Sequence, residues 1–162
     1  MSLIIVEGCD GTGKTTLIQA LAADLNLPII KSFKPQSRAH IDQFDNWAKA
    51  CPRIPLCDRH SAISDIVYGK VLRGGTPSDL DLARSKLRNN FVVYCCPPLT
   101  AVQNNVHVEP QMKGVKEQLR QIYNAYEELM EELEPQFTYD YSQPGAYQAL
   151  THQLVHFLEM NR

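Results

Sequence analysis

The sequence predicts an α/β fold on a parallel sheet, and three observations carry that expectation. Short apolar runs of four to six residues alternate with longer stretches of helical periodicity. A glycine-rich turn, Gly8-Cys9-Asp10-Gly11-Thr12-Gly13-Lys14-Thr15, joins the first apolar run to the first helical stretch. The size also fits: 162 residues, 44% hydrophobic and 21% charged, describe one domain that buries about 70% of its unfolded surface.

In chain order, strands are expected at 3–6, 28–31, 54–57, 91–96 and 137–141, and helices at 14–25, 36–50, 60–72, 79–88, 115–133 and 146–160. The opening Leu3-Ile4-Ile5-Val6 lacks a basic flank and is too short for a signal-peptide core, so it reads as a strand. Gly74-Gly75-Thr76-Pro77 and Pro97-Pro98 are turns rather than domain joints. The stretch 115–133 carries Val115, Leu119, Ile122, Tyr126, Leu129 and Leu133 on one face. Lys113, Lys116 and Arg120 stand at its start and five glutamates crowd its end, the reverse of what the helix dipole favours. The basic start therefore suggests an anionic ligand there.

Sixteen Lys and Arg against 18 Asp and Glu give a net charge of −2, which argues against a protein that coats nucleic acid with positive charge. No stretch approaches the ~20 apolar residues of a membrane span. Five cysteines without a C-x-x-C suit neither a disulfide framework nor a zinc site, and point to a reducing cytoplasm. His152 and His156 have the i, i+4 spacing of a metal pair, but no third ligand is near in sequence, and they read as solvated histidines.

The glycine-rich turn matches G-x-x-x-x-G-K-[ST] in full. Its glycines let consecutive backbone N–H groups point at a phosphate, and the helix start adds its positive end. Gly8, Asp10, Gly11, Thr12, Gly13, Lys14, Thr15 and Thr16 are thus expected around the phosphates of a nucleoside triphosphate, Lys14 reaching the β- and γ-phosphates and Thr15 ligating Mg²⁺. Cys9, beside a helix N-terminus, is expected to have a lowered thiol pKa. Asp58-Arg59-His60 follows the third strand, and ligands of open α/β sheets gather beyond strand carboxyl ends. Asp58 and Arg59 should therefore face the phosphate loop.

Together, Val6-Glu7-Gly8-Cys9-Asp10-Gly11-Thr12-Gly13-Lys14-Thr15-Thr16-Leu17 and Asp58-Arg59-His60 with Ser64 and Tyr68 resemble the thymidylate kinase family of P-loop nucleoside monophosphate kinases. Tyr94-Cys95-Cys96-Pro97-Pro98-Leu99 resembles that family's fourth strand and following turn. The resemblance implies a five-stranded sheet of order 2-3-1-4-5, Mg²⁺ and ATP as donor, phosphoryl transfer to a (deoxy)nucleotide, and a homodimer. It places Arg59 on the acceptor phosphate, Asp58 near the metal with Thr15, Asp10 by the acceptor sugar and phosphate, and Lys34 and Arg38 on the acceptor. It makes about 104–116 a lid. There Lys113 and Lys116 replace the family's arginines and are candidates for meeting transition-state charge. Ser142-Gln143-Pro144-Gly145 falls where such kinases wrap the adenine.

The acceptor is less constrained. A monophosphate is already ionised near neutral pH (second pKa about 6) and needs cations, which Arg59, Lys34 and Arg38 offer. A nucleoside hydroxyl needs a general base, and deoxynucleoside kinases, which also carry I-E-G before the loop, use that glutamate, here Glu7. A nucleotide-binding switch without an acceptor is the remaining alternative. The segment between positions 32 and 58 is shorter than the family's and offers Phe44 and Trp47 for base stacking or core packing. Thymidylate leads as acceptor.

Overall fold

The computed structural model describes residues 2–108 and 110–161. Five parallel strands, β1 (Ile4–Glu7), β2 (Ile29–Lys31), β3 (Leu56–Asp58), β4 (Phe91–Cys95) and β5 (Phe137–Tyr139), form one sheet in the order β2-β3-β1-β4-β5. Among the described residues, seven helices accompany them: α1 (Lys14–Leu25), α2 (Arg38–Lys49), α3 (Ser61–Leu72), α4 (Leu80–Leu87), α5 (Leu99–Val106), α6 (Leu119–Leu133) and α7 (Ala146–Met160). The expected fold class and strand order are both observed.

Central β1 is buried on both faces, as a parallel strand under two helical layers must be. Its side chains alternate. Leu3 and Ile5 join Val92, Ile63, Ile122 and Tyr126 in one core, while Ile4 and Val6 join Leu17, Leu21, Val93 and Leu150 in the other. Glu7 shares the parity of Leu3 and Ile5, so its carboxyl enters the α3–α6 layer. That parity decides its role below.

Side-chain caps start the helices that need them: Ser37 accepts from the His40 amide and Asp79 from the Leu82 amide. At α1 the cap is Gly13, at φ 80°, with no side-chain bond, so the first-turn N–H groups belong to the phosphate loop. Two expectations shift. Helix α6 begins at Leu119, because residues 113–118 form turns around Gly114 at φ 87°. Helix α5 was not expected: it is eight residues long, starts behind Pro97-Pro98 and has no side-chain cap. It packs on the phosphate loop so closely that a Cβ on Gly11 would lie 2.7 Å from Val106 Cγ2 and 2.8 Å from the Val102 carbonyl.

Among the described residues no helix is long and apolar enough to cross a membrane. His152 and His156 are exposed, and among the described residues no group of three metal-ligating side chains forms.

Candidate active site

The register of β1 on β3 builds the site. Val6 pairs with Asp58, and the Arg59 amide donates to the Val6 carbonyl at 3.0 Å, so the phosphate loop and Asp58-Arg59 leave adjacent strands side by side. A cavity of about 650 Å³ opens there. Asp10, Gly11, Gly13, Lys14, Thr15, Thr16, Asp58 and Arg59, all expected from the sequence, line it. Gly8 and the buried Thr12 complete the loop; the Thr12 hydroxyl donates to the Cys9 carbonyl at 2.9 Å and Lys14 Nζ donates to the same oxygen at 2.8 Å.

Arg59 is held in the left-handed region at φ 65°, an uncommon conformation for a non-glycine residue. Its guanidinium donates to the Gly8 carbonyl (3.3 Å), Asp10 Oδ1 (3.3 Å) and the Tyr68 hydroxyl (2.8 Å), and sits 5.0 Å from the Tyr68 ring centre. Tyr68 in turn donates to Asp10 Oδ2 at 2.6 Å. Burial opposes the charge on Arg59, but Tyr68, Tyr126, Asp10 and Glu7 outweigh it and hold the group above its ordinary value. Burial likewise opposes ionisation of Asp10, and Arg59, Tyr68 and Lys14 overcome it, so its carboxyl lies below the usual range. Lys14 is lowered by burial and by neighbouring Arg59. Two cations, Lys14 and Arg59, thus line one cavity, with Asp10 bonded to the second of them.

Glu7 is 0% exposed beneath this layer. Its Oε1 accepts from the His60 amide at 2.6 Å and its Oε2 from the Tyr126 hydroxyl at 3.0 Å. Burial pushes its carboxyl up to about 7 against those bonds and the pull of Arg59 and Lys14. The carboxylate clamps the peptide just after Arg59. His60 is equally buried: its Nδ1 accepts from the Ala62 amide at 3.1 Å, so Nε2 carries the proton toward Asp45 Oδ1 at 3.4 Å. Asp45 also accepts from Lys49 and Lys86, which ties α2 and α4 to the peptide behind Arg59.

Other expected residues fall elsewhere. Phe44 is 1% exposed and packs against Phe33, Trp47 and His60, so it belongs to the core and offers no face to a base. Trp47, on the next turn, is 53% exposed. Lys34 is exposed, and Arg38 is exposed and paired with Asp79. Within 104–116, Asn105 and Val106 rest on the phosphate loop, while Val108, Pro110 and Gln111 line the main cavity. Lys113 is exposed, and Lys116 lines a separate cavity of about 530 Å³ with His107 and Arg120. Cys9 overturns its expectation: it is 1% exposed, and burial pushes its thiol up to about 12 despite Lys14. The side chain turns into the core instead of toward the helix start.

Three tyrosines not expected from the sequence also belong to the site. Tyr139, Tyr141 and Tyr147 line the main cavity. The signal was their place around the 142–145 turn: Tyr139 ends the last strand, Tyr141 follows it, and Tyr147 opens α7.

Neither a family model nor a curated protein matches the sequence. Solved structures do match in shape. The YorR protein from Bacillus subtilis, in complex with phosphorylated GDP, is similar at TM-score 0.76 and 20% identity, over 99% of this chain and 97% of that one. Shikimate kinase from Acinetobacter baumannii, in complex with shikimate, aligns at TM-score 0.60 and 18% identity, over 100% and 95%. Deoxyadenosine kinase from M. mycoides, with dCMP and dCDP bound, aligns at 0.59 and 13%, over 98% and 99%. The fold is that of the P-loop kinases.

Proposed function

We propose that this chain is an ATP-dependent kinase that moves the γ-phosphoryl group to a (deoxy)nucleoside monophosphate, with thymidylate the leading acceptor. The observation that carries the reading is the Arg59–Asp10–Tyr68 unit, which adds a second, rigidly held cation to the cavity that Lys14 and the loop already make a phosphate site. Lys14 and the loop amides take the donor phosphates, and Arg59 takes the acceptor phosphate, so two anions approach against fixed positive charge. Asp10 and Tyr68 hold the guanidinium in one orientation. No general base is required, because the acceptor oxygen is already ionised near neutral pH.

Thr15 and Asp58 offer a hydroxyl and a carboxylate to the same cavity, oxygen donors of the type Mg²⁺ takes alongside substrate phosphates. When bound, the ion neutralises charge on the β- and γ-oxygens. Val108, Pro110 and Gln111, within the expected lid, line the same cavity. Thymidylate specificity rests on the sequence resemblance.

The alternative, phosphorylation of a nucleoside with Glu7 as base, meets a carboxyl that is fully buried with both oxygens engaged. The test is a panel: purified protein with Mg·ATP and each (deoxy)nucleoside monophosphate, then each nucleoside, scored for phosphorylated product. Diphosphate formation supports the proposal; turnover of nucleosides alone selects the alternative. ATP hydrolysis with no acceptor product would favour a nucleotide switch.

A further inference from the structure

The main cavity is lined by two chemically different sets of side chains. One is ionic, Lys14, Asp10 and Arg59; the other is aromatic and apolar, Tyr141 and Tyr147 with Leu17 and Ala20 of α1. Charged and flat aromatic linings together are the complement of a nucleotide, whose phosphates and base differ in the same way. Tyr141 is the aromatic residue set against the phosphate loop. Its ring lies against the last glycine of the loop, where a Cβ on Gly13 would sit 3.2 Å from Tyr141 Cδ1. The side chain keeps 43% of its surface exposed.

Its position is fixed from α5. Asn105 Nδ2, near the end of α5, donates to the Gly11 carbonyl at 2.9 Å and to the Tyr141 hydroxyl at 3.1 Å. An amide nitrogen carries two hydrogens, so both bonds are made together. Asn105 thus ties the loop after β5 to the phosphate loop and orients the ring. The Tyr147 hydroxyl is committed too: it donates to Asp24 Oδ2 at 2.6 Å.

We propose that Tyr141 is the platform on which the donor base stacks, and that stacking rather than side-chain reading of the base edge holds it, so adenine and guanine donors are taken alike. This rests on the kinase reading above. Base–aromatic stacking tolerates any base, because every base presents a π-face.

The test separates base from phosphate. Binding of Mg²⁺ complexes of AMPPNP, GMPPNP and inorganic tripolyphosphate is measured by calorimetry on wild type, Tyr141→Ala and Tyr141→Phe. Tyr141→Ala should weaken both nucleotides by roughly tenfold to a hundredfold and leave tripolyphosphate within about twofold. Tyr141→Phe keeps the ring but loses the Asn105 bond, so it should retain more nucleotide affinity than Tyr141→Ala. Unchanged nucleotide affinity in Tyr141→Ala, or an equal loss for tripolyphosphate, overturns the platform. A wild-type preference of more than about tenfold between AMPPNP and GMPPNP overturns the edge-blind part. A wild type that binds none of the three overturns the nucleotide-site reading itself, a result distinct from the others.

Discussion

Tyr68 donates a hydrogen bond to Asp10 Oδ2 across 2.6 Å while accepting one from Arg59 across 2.8 Å. One phenol thereby fixes both an anion and a cation of the phosphate site, and the two bonds are charge-assisted. Removing the hydroxyl as Tyr68→Phe leaves the ring beneath Arg59 but frees both partners. We expect kcat/KM for the acceptor to fall by roughly tenfold or more, with donor affinity unchanged. Steady-state kinetics with each substrate varied in turn checks the split.

Arg59 itself divides among Gly8, Asp10 and Tyr68, a fork geometry that a lysine ammonium does not reproduce. Arg59→Lys should therefore recover little of what Arg59→Ala loses, roughly a hundredfold to a thousandfold in kcat/KM. Near-wild-type turnover in either variant would remove Arg59 from the acceptor site.

Glu7 predicts a stability effect with a definite sign. Its pKa is raised by burial from 4.5 to about 7 in the folded protein, so the native state binds a proton more tightly than the unfolded chain. Its contribution is complete below about 4.5 and is lost as pH rises through about 7, a difference on the order of 3 kcal/mol. Glu7→Gln stays neutral; its amide oxygen still accepts from the His60 amide, and the Tyr126 hydroxyl can turn to accept from the amide nitrogen. The variant should gain Tm relative to wild type as pH increases from 5 to 8. Parallel melting curves across that range would show no divergence if Glu7 titrated normally.

What the sequence revealed here follows from how far apart the cooperating residues lie. The phosphate loop is contiguous, so its residues announce themselves, and Arg59 needed only the strand before it. The bounds of α1 and α7 were also legible, since Gly13 and Gly145 punctuate their starts. Residues that meet across the fold were harder. Asn105 and Tyr141 are 36 positions apart, and the helix that carries Asn105 opens behind two prolines without a cap. Phe44 and Trp47 share a helix face by spacing, yet only the docking of His60 decides that Phe44 is the buried one. The turn at 113–118 separates Lys113 and Lys116 from the helical phase that the apolar positions suggested.

The contact between α5 and the loop makes Gly11 sensitive on two counts. A Cβ there meets Val106 Cγ2 and the Val102 carbonyl, and the residue adopts φ 79°. Gly11→Ala should cost at least about 2 kcal/mol from the left-handed backbone and overpacking combined, and should weaken triphosphate binding. Adding Val106→Ala relieves the side-chain overlap but not the backbone one, so rescue should be partial. Chemical denaturation of the single and double variants measures it.

Thiol chemistry supplies the last prediction. Reactivity requires both thiolate and access, and Cys9 has neither: it is 1% exposed, with its thiol pushed up to about 12 by burial even though Lys14 and Arg59 pull the other way. Cys57 and Cys95 are buried as well and their thiols are also raised by burial, whereas Cys51 and Cys96 are half-buried. Native protein treated briefly with iodoacetamide near neutral pH should therefore carry label on Cys51 and Cys96 only, with all five thiols labelled after denaturation. Peptide mass spectrometry reads the positions directly. Because Cys9 faces the core and not the phosphates, adding ATP should leave the native labelling pattern unchanged; ATP-protected modification of Cys9 would require the loop to turn that side chain outward.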